Sequence, residues 1–199
     1  MKILALSDVH GDRTFIRQMA EKGAQEKVDL VILAGDIVDH NGDVHGLIGP
    51  FKEKGLEVAV LPGNHEGLAE IGFFVEKYKV KNLHGYTIKK GDVGIFGCGY
   101  ADIGIHQLDE DEFFATLKQA HDSLKDVKKK LMVTHVQPSD SIIGLKMPGW
   151  GSTGVRRAIE EFKPDIHICG HIHETHGIEE VIGGTRVINV GKTGRIIEI

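Results

Sequence analysis

Apolar residues in the first third of the chain come in short unbroken runs. Residues 2–7, 29–34 and 56–61 are such runs, and each stops at a turn rich in Gly, Pro or Asp. Runs of this length between turn signals predict strands buried on both faces. Between the first two, Phe15, Ile16, Met19, Ala20, Ala24 and Val28 recur at helical spacing, which predicts a helix over 12–27 with Asp12 as its N-cap. A second helix is predicted over 68–78, while 37–49, carrying His40 and His45, reads as a loop. Strands alternating with helices are the βαβ pattern, so the sheet they form is predicted to be parallel.

The pattern then changes. Gly91-Asp92 separates two β-rich runs, 86–90 and 93–97, as in a hairpin. Residues 109–127 predict a long amphipathic helix, with Asp109, Glu110, Asp111 and Glu112 where the helix dipole favours negative charge. A strand over 130–135, a helix over 152–162 capped by Ser152, and a strand over 165–170 follow. Residues 177–199 alternate β-rich runs with glycines and predict antiparallel hairpins. With no linker, repeat or low-complexity stretch, the expectation is one α/β domain over residues 1–199, with two layers of sheet and helices outside.

Composition narrows the function classes. A chain of 199 residues suits one domain. Its 24 basic and 29 acidic side chains leave a formal charge of −5, which argues against broad attachment to nucleic acid or anionic lipid but not against a local anion site. Two cysteines, Cys98 and Cys169, make no disulfide framework, so a reducing, cytoplasmic setting is expected. No apolar window is long enough for a membrane span, and the N-terminal run is too short for a signal peptide. The 26 glycines and 12 histidines are many for this length and direct attention to loop ends.

There the polar residues that break the core pattern are found. Asp8 and His10 follow the first predicted strand, Asp36 the second, Asn64 and His65 the third, His135 a later one, and His171 with His173 the next. In sheets of this kind ligands bind beyond the carboxyl ends of the strands. Carboxylate oxygen with imidazole nitrogen and no thiolate suits first-row divalent ions such as Mn, Fe, Zn, Co or Ni. Even with His65 set aside, four His, two Asp and one Asn exceed a single tetrahedral site and suit two ions sharing a carboxylate, a recurring device for phosphoester hydrolysis.

At these residues the chain resembles the calcineurin-like metallophosphoesterase family. The family's ordered blocks appear as Asp8-Val9-His10, Gly35-Asp36-Ile37-Val38-Asp39, Gly63-Asn64-His65-Glu66, His135 and Gly170-His171-Ile172-His173. The resemblance implies a sandwich of two mixed sheets with helices on its outer faces. It also implies that Asp8, His10 and His173 hold one ion, Asn64, His135 and His171 the other, and that Asp36 bridges them, with manganese the first candidate. His65 would stabilise the phosphoryl group or protonate the leaving group, and Asp39 would orient His65 or a ligand. Attack on phosphorus would come in line from a metal-held hydroxide. His40-Asn41 stand where the branch acting on phosphoproteins has Arg-Gly, so the chain looks more like small prokaryotic-type members that cleave phosphodiesters or small phosphate esters.

The expected partner is therefore a small phosphate ester, with no membrane and no nucleic acid, and a second copy of the chain left open. The rivals are a phosphomonoesterase or nuclease on the same scaffold, and a binding scaffold that has lost catalysis. His84, His106, His121, His167 and His176, like Cys98 and Cys169, read as structural, and the lysines at 125–130 as a solvated helix end. His40 and His45 follow Asp36 and are candidates to approach the site. The loop 137–151 follows His135 and carries Met147, Pro148, Gly149 and Trp150, whose indole has three candidate roles: stacking a substrate ring, covering the core or meeting a second copy. The positions of Arg156 and Arg157 are left open.

Overall fold

The computed structural model describes residues 1–144 and 150–199. In chain order its elements are β1 (Lys2–Leu6), α1 (Arg13–Gln25), β2 (Leu30–Ala34), α2 (Gly49–Glu53), β3 (Val58–Leu61), α3 (Leu68–Tyr78), β4 (Lys81–Asn82), β5 (Thr87–Lys90) and β6 (Val93–Cys98). Then come α4 (Glu110–Asp122), β7 (Lys129–Thr134), α5 (Thr153–Phe162), β8 (Ile166–Cys169), β9 (Glu179–Ile182), β10 (Thr185–Asn189) and β11 (Arg195–Glu198). One sheet has the order β11-β1-β2-β3-β4 and the other β5-β6-β7-β8-β10-β9. Both are mixed: β1, β2 and β3 run parallel with β11 antiparallel at the edge, and β6, β7, β8 and β10 run parallel between antiparallel β5 and β9.

Strand alternation builds the layers. From β1, Leu4 and Leu6 face Ile16 of α1, Phe51 of α2 and Phe74 of α3. The intervening Ile3 and Ala5 join Leu131, Val133, Ile168 and Ile188 of the other sheet in the core between the sheets. The outer face of that second sheet, with Phe96, Met132 and Val187, packs on Phe113 and Leu117 of α4 and Val155 and Ile159 of α5. Helices, sheet, sheet, helices is the four-layer arrangement expected. Both faces of each central strand are covered, which is why the runs are apolar throughout instead of alternating.

Several boundaries differ from expectation. The predicted loop 37–49 ends in α2, where Pro50 suits the first turn and Phe51 is buried. The short edge strand β4 carried no run to mark it. The helix predicted to 127 stops at Asp122: Ser123 Oγ donates back to Gln119 O, and Lys128 and Lys129 give their backbone N–H groups to Asp92 O, starting the approach to β7. Of the expected C-terminal hairpins, β9–β10 forms, but β11 crosses to the first sheet and pairs with β1, not β10. The turn at Gly191–Thr193 makes that crossing. Asp12 and Ser152 cap their helices as predicted, accepting from Phe15 N and Val155 N. Met147, Pro148 and Gly149 lie outside the described residues. Among the described residues no helix is long and apolar enough to cross a membrane.

One buried polar contact carries a pH signature. His167 in β8 is fully buried, with Nε2 2.7 Å from Thr134 Oγ1. Because that hydroxyl donates to Val136 O, the imidazole must be the donor, which leaves it neutral with Nδ1 unpartnered. Burial pushes its pKa down to about 3. A folded-state pKa below the unfolded value means the unfolded chain binds the extra proton, so stability is full above pH ~6.5 and lost as pH falls. Between pH 7 and 5 the native chain should lose about 2 kcal/mol more than a His167→Leu variant. Urea unfolding at the two pH values measures this, and parallel losses would show that His167 accepts its proton without cost.

Candidate metal centre

Every predicted ligand leaves the carboxyl end of a strand, and the two sheets bring those ends together. The loops after β1 and β2 are joined by backbone bonds from Asp8 N to Gly35 O and His10 N to Asp36 O. Across the sandwich, His171 N donates to both Asp8 oxygens at 3.1 and 3.2 Å, and within the second sheet Gly170 N donates to His135 O. Asp8, His10, Asp36 and His171 adopt φ of 54°, 47°, 50° and 70°. Left-handed backbone at non-glycine residues costs roughly 1–3 kcal/mol each and concentrates at functional sites. Close approach requires glycine at two places. A Cβ on Gly63 would stand 2.1 Å from Asp36 Oδ1, and one on Gly35 would stand 2.5 Å from His135 Nδ1.

The side chains converge through their lone pairs. His135 Nδ1–H donates to Ala34 O at 2.9 Å, which turns Nε2 inward. That Nε2 lies 3.2 Å from Asn64 Oδ1, 3.3 Å from His171 Nδ1 and 3.4 Å from Asp36 Oδ2. Beside this group, His10 Nε2 and His173 Nε2 are 3.1 Å apart, His10 Nε2 is 3.8 Å from Asp36 Oδ2, and His173 Nε2 is 3.5 Å from Asp8 Oδ1. Atoms bound at about 2.1 Å to one ion stand about 3.0–3.4 Å from one another. Electron-rich atoms crowded at such distances repel unless a proton or a cation lies among them, so the donor set fits divalent ions. Asp36 Oδ2 faces both groups.

The titration behaviour follows the same charges. Burial opposes ionisation of Asp36, but the charge and hydrogen bond of His135, with His65, hold the carboxyl at about 2. Burial also works against a proton on His135, and Asp36 overcomes it, raising the imidazole to about 10. Asp8 likewise resists its burial through His173 and His176 and stays well below the usual carboxylate range. Burial and then the His135 charge push His171 down to about 4. A cation taking the place of a proton beside His135 makes ion binding proton-coupled.

His65 is at the same centre. Its backbone N–H donates to Asp36 Oδ1 at 3.1 Å and its Nε2 lies 3.8 Å from Asp36 Oδ2, as close as His10. Burial lowers its pKa, disfavouring the charged ring against the pull of Asp36. His40 also arrives, its ring centroid 4.3 Å from that of His65. His45 does not: it pairs with Asp43 and is exposed. Asp39 departs from expectation as well. Among the described residues its carboxylate accepts only from Asn41, N and Nδ2, so it closes its own turn and does not orient His65. Arg156 and Arg157 pair with Glu160 and Glu161 along α5.

Three supporting residues were not foreseen. Glu66, fully buried, accepts the backbone N–H groups of Asp36, Val38 and Gly63 and so joins the loops after β2 and β3. His176, expected to be structural, accepts from Lys192 N at Nδ1 and aims Nε2 at Asp8 Oδ2, 3.4 Å away. Asp102 Oδ1 stands 3.9 Å from His171 Nε2, the ring nitrogen facing away from His135. A carboxylate behind a ligating imidazole, or an imidazole behind a ligating carboxylate, sets orientation and basicity. Asp102→Ala and His176→Ala should each weaken divalent-ion affinity roughly 10–100-fold, read by competition with a chromogenic chelator. Unchanged affinity in both would confine these contacts to packing.

Comparison with known proteins agrees with this geometry. The model of the calcineurin-like phosphoesterase family matches residues 1–175. An uncharacterised protein of Methanocaldococcus jannaschii is 28% identical over 204 residues, spanning 95% of this chain and 87% of its own length. Among solved structures, a dimetal phosphatase from Danio rerio superposes with TM-score 0.70 at 12% identity, over 98% of this chain and 88% of its own. A novel archaeal phosphodiesterase superposes with TM-score 0.58 at 19% identity, over 96% and 84%. Both structural likenesses show a shared fold of two mixed sheets with helices.

Proposed function

The chain belongs to the calcineurin-like phosphoesterase family, and on that premise we propose that it hydrolyses a small or nucleotide-like phosphodiester at a centre of two divalent ions, manganese first among them. The observation that carries this reading is the position of Asp36 Oδ2, 3.4 Å from His135 Nε2 and 3.8 Å from His10 Nε2, which suits one carboxylate shared by two sites. Asp8, His10 and His173 would hold one ion with Asp36. Asn64, His135 and His171 would hold the other.

When bound, the ions supply positive charge to phosphoryl oxygens and acidify water enough for a nucleophile near neutral pH. The chain's own residues do the rest. Ala34 O and Asp8 fix the orientation of His135 and of the His171 backbone. His65, half-buried, can donate a hydrogen bond to a phosphoryl oxygen from its ring N–H or, as the imidazolium, a proton to the leaving oxygen. A protein nucleophile is not called for: Ser7 Oγ is committed to Ala34 O, and burial raises both thiols, Cys98 and Cys169. Among the described residues every ion-pair partner of Asp8 and Asp36 is a histidine. Without Lys or Arg to balance a phosphate dianion, the singly charged diester is the better match.

The test strips the protein with a chelator, reloads it with manganese, counts ions and compares bis-p-nitrophenyl phosphate, p-nitrophenyl phosphate, and single-stranded and duplex DNA. About two ions per chain and fastest turnover of the bis-ester are expected. Preference for the monoester or for DNA would replace the diester reading, and ion binding without turnover would leave a scaffold. His65→Ala should keep both ions while kcat falls about 10²-fold or more. Full activity in that variant would remove His65 from the reaction.

A further inference from the structure

A cleft of about 200 Å³ opens beside the centre, lined by His40, Asn64, His65, Gly104, Ile105 and His106. Asn64 and His65 belong to cleft and centre alike, so whatever fills the cleft adjoins the reacting phosphorus. The remaining lining is two further imidazoles and an isoleucine that is 90% exposed. Gly104, at φ 102°, folds the 102–107 loop down onto Asn64, where an added Cβ would stand 3.1 Å from the Asn64 Cβ.

Charge selects the occupant. No Lys, Arg, Asp or Glu lines the cleft among the described residues. The nearby N-terminus of α3, a natural anion site, already holds its own carboxylate, since Gly67 N donates to Glu70 Oε2 at 2.9 Å. A second phosphate or a carboxylate would enter with no compensating charge and a resident anion close by. Flat imidazole faces and an exposed aliphatic side chain instead suit an uncharged ring, and the volume is that of one ring system.

We infer that this cleft, given the phosphoesterase reading, is the subsite for an uncharged planar ring esterified to the phosphorus, an aryl group or a nucleobase-bearing arm. Ile105 and His106 supply its outer wall, and the His40 ring lies against that of His65 at a tilt of 40°. Ring binding here also places the ester oxygen at His65.

Calorimetry on the manganese-loaded protein tests this with three non-hydrolysable probes that carry one charge on phosphorus, as a diester does: dimethylphosphinate, methylphenylphosphinate and 2-carboxyethyl(methyl)phosphinate. Methylphenylphosphinate should bind about 10-fold more tightly than dimethylphosphinate, and the carboxyethyl probe no more tightly than dimethylphosphinate. In Ile105→Ser and His106→Ala, both on an exposed loop, the phenyl-to-methyl preference should shrink to about 2-fold. The subsite is overturned if the native protein shows no phenyl preference, if both variants keep it, or if the carboxylate probe binds tightest. If none of the phosphinates binds, the phosphoesterase reading fails and takes the subsite with it.

Discussion

Asp36→Asn should abolish turnover, by about 10³-fold or more, and leave the protein unable to retain both ions. The substitution is nearly isosteric, so the effect is electrostatic. Asp36 is buried, and its Oδ1 already accepts from His65 N. An asparagine must keep its oxygen there, which puts the amide NH2 where Oδ2 now faces His135, His10 and His65. A neutral donor then points into a region that lone pairs define as a cation site. Both ligand groups lose their common anion, and repulsion among the imidazoles is no longer offset. Elemental analysis and diester kinetics on the reloaded variant check this. Two retained ions with activity within about tenfold of native would mean that Asp36 is not the shared ligand.

The same electrostatics explain how much of the centre could be read from the chain. Asp8, His10, Asp36, Asn64, His135, His171 and His173 were visible because each interrupts an apolar run at the point where a parallel strand must end. Strand ends of one sheet collect on one edge whatever the loops do. What failed was any role depending on contacts that exist only after folding. His176 and Asp102 act through Asp8 and His171, and nothing in their spacing says so. Asp39 shows the converse, a motif residue whose carboxylate is taken by Asn41 because an aspartate can close its own turn. In the fold, β11 was placed beside β10 because hairpins are the local default. Its register with β1, from Lys2 opposite Glu198 to Ala5 opposite Arg195, joins the two ends of the chain and leaves no local trace.

Glu66→Ala should be the most destabilising single change near the centre, and it acts without touching an ion. The carboxylate receives Gly63 N at 2.7 Å and Asp36 N at 3.0 Å on Oε2, and Val38 N at 2.8 Å on Oε1. Burial, then the nearby Asp36 charge, raises its pKa to about 7, against the Gly63 and Val38 donors. Alanine leaves three buried N–H groups unpaired, each costing about 1–3 kcal/mol, against a total stability of about 5–15 kcal/mol. Loss of the Glu66–Asp36 repulsion returns part of this, so a net loss of roughly 4 kcal/mol is expected. Glutamine separates hydrogen bonding from charge. Its oxygen can serve Gly63 and Asp36, while its NH2 must face Val38 N, donor against donor. Glu66→Gln should therefore fall between native and alanine, and remain folded enough to show weakened ion retention. Urea midpoints for the three proteins decide the matter: an alanine variant within about 0.5 kcal/mol of native would mean that water satisfies these amides and that the loops after β2 and β3 hold their shape without the carboxylate.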